Sequence, residues 1–373
     1  MRRVPVLLLA ALAGCAGSAP ALPDGPSGQR RLLYVASPGI RDYLEWGGAG
    51  VLVYDIDRGH ALLRRIPVSY LDGKDPPGKA PENVKGICAC AATKRLYVST
   101  LTRMGCIDLA SERLVWVQRY EGGCDRMSIT PDGRKIYLPT LEKDDWHVVD
   151  GATGDVMATI SPKSGAHNTV MGLDGTRVYL AGLKSPLLRV ADTATDRVVR
   201  EIPFSAAVRP FTVNGAQTLA YANVNELLGF EIGEIGSGRF LHRVEVPGFK
   251  KGPVKRHGCP SHGIALSPDE KEVWVADAFN KVVHVFDNTV MPPKYLQSVG
   301  PLIDDPGWVT FTIRGDYAYP STGEVVDPKT RKILTHLKDE EGHDVQSEKM
   351  VEIDWRNGEP VRNGDQFGLG RAR

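Results

Sequence analysis

Residues 124–137 read CDRMSITPDGRKIY, and residues 261–274 read SHGIALSPDEKEVW. In both, an apolar run leads into a Pro-Asp turn, and a second apolar run follows that ends on an aromatic. Two strands joined by a tight turn account for this pattern. The aromatics recur down the chain as Tyr97, Tyr137, Tyr179, Tyr221, Trp274 and Tyr319, spaced 40, 42, 42, 53 and 45 residues apart, with Tyr34 as an earlier outlier. A period in the low forties is that of propeller blades, each a four-stranded sheet.

Each unit has a second half. An apolar run closing on an acid follows each aromatic: VLVYD to Asp55, CID to Asp108, HVVD to Asp150, LRVAD to Asp192, VHVFD to Asp287 and EVVD to Asp327, with FEI and Glu231 in the fifth unit. Turns such as GATGD and TATDR come next, then a fourth run such as VMATI or VVREI. The chain is therefore expected to form an all-β, seven-bladed propeller over about residues 31–356. Blade one lacks a strand before LLYVAS, whereas KMVEIDW, residues 349–355, is a strand left over after the seventh unit. Pairing the two closes the ring and removes two open sheet edges.

On these motifs the chain resembles the YVTN-type (YncE-like) bacterial propellers, whose repeat reads roughly SPDG, a YV pair and a VID-TATG-KV segment. The resemblance covers almost all of the mature chain. It implies the fold and is nearly silent on activity, because this scaffold hosts many unrelated functions.

The amino terminus, MRRVPVLLLAALAGC, has two arginines, a short apolar run and small residues ending at Cys15. This reads as a secretory signal rather than a spanning helix. Leu12-Ala13-Gly14-Cys15 resembles a bacterial lipobox, which makes Cys15 a lipidation site. A tether over residues 16–30 follows. The expected location is the cell envelope, in the periplasm or at the cell surface, and the outer membrane if the cell is Gram-negative. Residues 357–373 have no apolar periodicity and are expected to run over the surface.

A net charge of +1 gives no global case for nucleic acid, and no later apolar run is long enough to cross a membrane. The membrane is expected to be reached through the lipid anchor only, by a monomer. Beyond Cys15 there are five cysteines, an odd number, so at least one is expected to stay free. No CxxC or CxxCH motif supports redox or haem chemistry.

The candidate site follows from register. The residue twelve before each aromatic is the last before the innermost strand and should face the central channel. These positions hold Lys85, Asp125, His167, Arg209, His262 and Gly307, and the next residues along are Gly86, Arg126, Asn168, Pro210, Gly263 and Trp308. Charges gathered on one axis need partners, water or a ligand. Three insertions, residues 37–50, 69–83 and 247–260, are expected to crowd the same rim. They bring Tyr43 and Trp46, and the basic run Lys255, Arg256 and His257. A basic rim on a neutral protein suits an anionic small molecule or an acidic oligosaccharide.

His167, His262, Arg209, Asp125 and Lys85 then form a catalytic set for a carbohydrate lyase or glycoside hydrolase acting on a uronic-acid-containing sugar. Arg126, Asn168, Lys255, Arg256, His257, Tyr43, Trp46 and Trp308 would bind it. Two alternatives stand beside this reading. One is a non-catalytic ligand-binding or scaffold propeller. The other is a propeller whose cofactor is a divalent metal held by His167, His262 and Asp125. The HGCPSH string has no recognised zinc spacing.

Overall fold

The computed structural model describes residues 28–71, 81–254 and 257–372. Cys15 and most of the tether lie outside them, as do Lys255 and Arg256. The described chain forms seven antiparallel sheets around a common axis, six of four strands and one of five. Apart from two short 3-10 turns, Leu44–Trp46 and Ile56–Arg58, they contain no helix. None is therefore long and apolar enough to cross a membrane.

The seven marker aromatics, Tyr34, Tyr97, Tyr137, Tyr179, Tyr221, Trp274 and Tyr319, are all among the largest fully buried side chains. Each lies in the second strand of its blade's repeat, among residues buried on both faces. Their polar ends tie blades together: the Tyr97 hydroxyl donates to the Gly151 carbonyl at 3.0 Å, and that of Tyr137 to Asp196 Oδ1 at 2.5 Å. The recurring acids close turns. Asp108, Asp192 and Asp287 accept backbone N–H bonds from Ser111, Thr195 and Thr289 at 2.8–2.9 Å. A side chain that mimics a backbone turn in this way explains why Asp and Thr recur there.

The ring closes as the unpaired strands require. The strand Met350–Arg356 pairs antiparallel with Gln29–Ser37, with Tyr34 opposite Val351 and Leu32 opposite Ile353. Residues beyond it do not stay on the surface. Glu359–Asn363 adds a fifth strand to blade one on its channel side. The chain then enters the channel, where Gln366, Phe367 and Leu369 are buried. Gly368 carbonyl accepts from Leu266 N–H at 2.9 Å, Gly370 N–H donates to Val213 carbonyl at 3.1 Å, and Trp308 Nε1 donates to Gln366 carbonyl at 2.5 Å. Three innermost strands thus share the tail as a plug. An irregular segment can be buried here because those strands satisfy its backbone groups.

One blade junction is expected to respond to pH. His60, turned inward at the end of blade one, meets the Tyr319 hydroxyl at 2.8 Å, and burial, assisted by Arg31, lowers its pKa to about 4. A histidine depressed in the folded state stabilises the fold above its unfolded value near 6.5, and that contribution is lost as pH falls toward 4. The loss should reach on the order of 3 kcal/mol. Urea midpoints measured from pH 7.5 to 4 should fall less steeply for His60→Asn than for the parent; identical slopes would show that His60 is not the group responsible.

Candidate functional site

Four of the seven innermost strands begin with a fault in their pairing, and the fault falls on the site. Val84 pairs with Thr100 but Gly86 with Ser99, which leaves Lys85 unmatched. Ala166 pairs with Gly182 but Asn168 with Ala181, which leaves His167 unmatched. In the same way Arg209 and Pro210 lie between Val208 and Phe211, and His262 and Gly263 between Ser261 and Ile264, with one residue opposite each pair. A bulge frees a side chain from the alternation of the strand and re-aims it. Repeated in four blades, it turns Lys85, His167, Arg209 and His262 toward the axis.

Lys85, Arg126, His167, Arg209, His257 and His262 line one cavity of about 220 Å³, together with Glu348 and Lys349. All three insertions reach its wall, through Ile40 and Arg41, Asn83, and His257 with Gly258. Tyr43 and Trp46 do not line it. Their rings meet edge to face at 5.2 Å, and Trp46 carbonyl accepts from Gln346 N–H at 3.3 Å. The blade-one insertion folds back toward residues 345–347 and presents Arg41 to the cavity instead.

Glu348 and Lys349 do not come out of the twelve-residue count, yet they obey its rule. In six blades the register residue lies three before the partner of the aromatic: Lys85 before Cys88, Asp125 before Ser128, His167 before Val170. In blade one Tyr34 pairs with Val351, and three before Val351 is Glu348. Lys349 is likewise the blade-one equivalent of Arg126. Gly307 is the one register position without a side chain, and His257 occupies the gap. A Cβ on Gly307 would lie 2.4 Å from both His257 Nδ1 and Glu348 Oε1. The seven-fold ring is therefore filled by Lys85, Asp125, His167, Arg209, His262, Glu348 and the inserted His257.

Two linked clusters occupy the floor. In the first, His167 Nδ1 donates to Asp125 Oδ2 at 2.5 Å, while Lys85 Nζ and Arg126 stand 3.6 and 3.7 Å from Asp125 Oδ1. Burial alone would push the Asp125 carboxyl up, but His167, Lys85 and Arg126 together hold it well below the usual range. Burial lowers His167, and the pull of Asp125 only partly offsets it, so its imidazole is neutral at neutral pH. With Nδ1–H fixed on Asp125, Nε2 carries the lone pair. Arg126 Nη1 lies 3.5 Å from it.

In the second cluster Arg126 and Lys349 both hold Glu348 Oε2, the lysine at 2.8 Å. Glu348 Oε1 lies 3.2 Å from His257 Nδ1, and the His257 ring stacks on His262 at 5.2 Å between centroids. Although burial raises Glu348, Lys349, Arg126 and His257 hold it well below its ordinary value. Burial lowers Lys349 to about 7 against the opposing pull of Glu348. Burial, and then His257, pushes His262 well down.

Arg126 bridges the two clusters, and its guanidinium lies 4.7 Å from the centre of the buried Trp308 ring. Trp308 is thus a platform for Arg126, held from below by the tail at Gln366. Asn168 is fully buried beside Arg126, and neither of its side-chain polar atoms has a partner in the protein. Arg209 is braced by Asn225 Oδ1 at 2.5 Å and Gly258 carbonyl at 3.0 Å. The arrangement can neutralise an anion with Lys85, Arg126 and Arg209 and can accept a proton at His167 Nε2.

No family model matches the chain, and no curated protein is significantly similar to it. The seven-bladed propeller therefore rests on the chain's own strand pairing.

His167, His262 and Asp125 do not make the metal set expected of them, because Asp125 is committed to His167 Nδ1. Among the described residues, the buried donors that converge within 4.8 Å of one another are His257, His262 and Glu348. Cys259, from the same string as the two histidines, is buried and donates its thiol to Ser261 carbonyl at 2.8 Å. Cys88, Cys90, Cys106, Cys124 and Cys259 are all free and buried.

Proposed function

We propose that the chain is an extracytoplasmic, YVTN-like propeller, lipid-anchored at Cys15, whose channel mouth binds a carboxylate-bearing sugar and acts on it as a lyase. The observation that carries this reading is the Asp125–His167 dyad beside Lys85 and Arg126. In β-elimination from a uronate, cations neutralise the carboxylate and acidify the adjacent C–H. His167 Nε2 takes that proton, and the resulting imidazolium is stabilised by Asp125. The electron pair forms the C=C bond and expels the glycosidic oxygen, which takes a proton from Lys85.

The approach of Arg126 to His167 Nε2 favours a second reading, a ligand-binding propeller without turnover, since a donor already faces the base. One assay separates the two. Purified protein incubated with a panel of uronate-containing oligosaccharides should show a rise in melting temperature and growing ultraviolet absorbance from the unsaturated product. A melting shift with neither that absorbance nor new reducing ends would leave only the binding reading. No shift with any acidic sugar would end both.

A further inference from the structure

We infer that His257, His262 and Glu348 form a binding site for a transition-metal dication of the zinc class, distinct from the Asp125–His167 dyad. The three donors come from separate parts of the chain: the insertion before blade six, the bulge that opens blade six, and the residue before the strand that closes the ring. They are brought within 4.8 Å of one another. Two imidazoles and one carboxylate with one open position is a common catalytic zinc set.

Three further observations point the donors at a shared ion. The first is room. Gly307 stands where every other blade has a side chain, and a Cβ there would lie 2.2 Å from His257 Cε1 and 2.4 Å from Glu348 Oε1. The absent side chain is what lets His257 and Glu348 meet.

The second is tautomer. His262 Nδ1 donates to the Gly307 carbonyl at 2.9 Å, which leaves Nε2 as its lone-pair atom. His257 Nε2 faces the Asp305 carbonyl at 3.4 Å, which can hold its N–H when Nδ1 serves as the ligand atom. Backbone carbonyls that orient ligating imidazoles from behind are the usual outer shell of a metal site. The third is spacing. His257 Nδ1 stands 3.2 Å from Glu348 Oε1, where an Nδ1–H holds the carboxylate and a metal would take the place of that proton. The separation is near the donor spacing of about 3.4 Å that follows from tetrahedral bonds of about 2.1 Å.

Arg126 and Lys349 on Glu348 Oε2 fix the carboxylate but also repel a dication. An anionic fourth ligand from the cavity, hydroxide or the carboxylate of a bound ligand, would offset that repulsion.

The test is cobalt(II) titration of the purified, chelator-stripped full chain, followed by visible spectroscopy and displacement by zinc. One equivalent should bind with the intense bands of a four-coordinate site. His257→Ala and His262→Ala should each weaken binding by more than about 100-fold, and Gly307→Ala by about 10-fold or more. Gly307 does not have a left-handed φ, so alanine suits its backbone. Because Gly307→Ala also keeps every donor, a loss of binding with an unchanged melting curve reports the geometry rather than unfolding. Asp125→Asn should bind cobalt as the parent does, as should His343→Ala, which tests the surface group of Asp339, Glu341 and His343.

Absence of stoichiometric binding, weak octahedral bands only, or parent-like affinity in either histidine variant would overturn the site. The inference does not depend on the sugar-lyase reading. Metal binding can persist when every sugar fails, and sugar binding can persist after chelation.

Discussion

Asp125→Asn is expected to lower lyase turnover by about 10³- to 10⁴-fold, more than any substitution on the rim. The carboxylate at 2.5 Å does two things for His167: it keeps the proton on Nδ1, and it stabilises the imidazolium that forms when Nε2 accepts a proton. An asparagine amide can turn its N–H toward Nδ1, which places the ring proton on Nε2 and removes the base. Loss of the correct tautomer in a serine-protease triad costs about 10⁴ in kcat, which sets the scale. The pH profile should move in a known direction. Burial already depresses His167 and Asp125 opposes it. The acid limb of kcat/KM should therefore shift to lower pH in Asp125→Asn as the plateau falls. A modest loss with an unmoved limb would remove Asp125 from the chemistry and leave it as a partner for Lys85.

The blade count was legible because each unit carries the same constraint. A fully buried aromatic must sit at one depth in the second strand, and Tyr34, Tyr97, Tyr137, Tyr179, Tyr221, Trp274 and Tyr319 all do. The register of Lys85, Asp125, His167, Arg209 and His262 followed from those aromatics, since antiparallel pairing converts a count along the chain into a place on the axis. The count failed where the covalent order breaks. Twelve residues before Tyr34 is Leu22, in the stretch read as a tether, because the strand that serves Tyr34 arrives from the other end of the chain. Glu348 and Lys349 were reachable only by aligning KMVEIDW with the other innermost strands and stepping back from Val351.

Gly307 reads as a blank, and a blank in a ring of side chains is itself a signal that something else enters. The tail defeated periodicity for a different reason. Phe367 and Leu369 bury against several blades in turn, as a plug, so no repeat of two or 3.6 residues marks them. Nothing in the spacing of HGCPSH distinguished His257 and His262, which reach Glu348, from Cys259, which turns away to Ser261.

Ending the chain at Ser347 is expected to abolish cooperative folding, whereas ending it at Asn363 should not. The first cut removes Met350, Val351 and Ile353, each nearly or fully buried. At about 1.5–3 kcal/mol per side chain these amount to roughly 5–9 kcal/mol, against a total stability of about 5–15 kcal/mol for a typical domain. The cut also leaves Gln29–Ser37 as an unpaired inner edge at the ring seam, an invitation to aggregate.

The second cut removes the plug. It forfeits the burial of Phe367 and Leu369 and the bond from Trp308 Nε1 to Gln366, about 4–7 kcal/mol in all, but no strand of any blade. The shorter chain should melt earlier but in one transition. Because the tail braces Trp308 and Trp308 supports Arg126, ligand affinity should fall more than it does for a rim substitution such as Arg41→Ala. Circular dichroism and calorimetry on the two truncations decide the matter. A native-like melt from the chain ending at Ser347 would mean that six complete blades and a three-stranded remnant suffice, and that the closing strand serves the site through Glu348 and Lys349 rather than the ring.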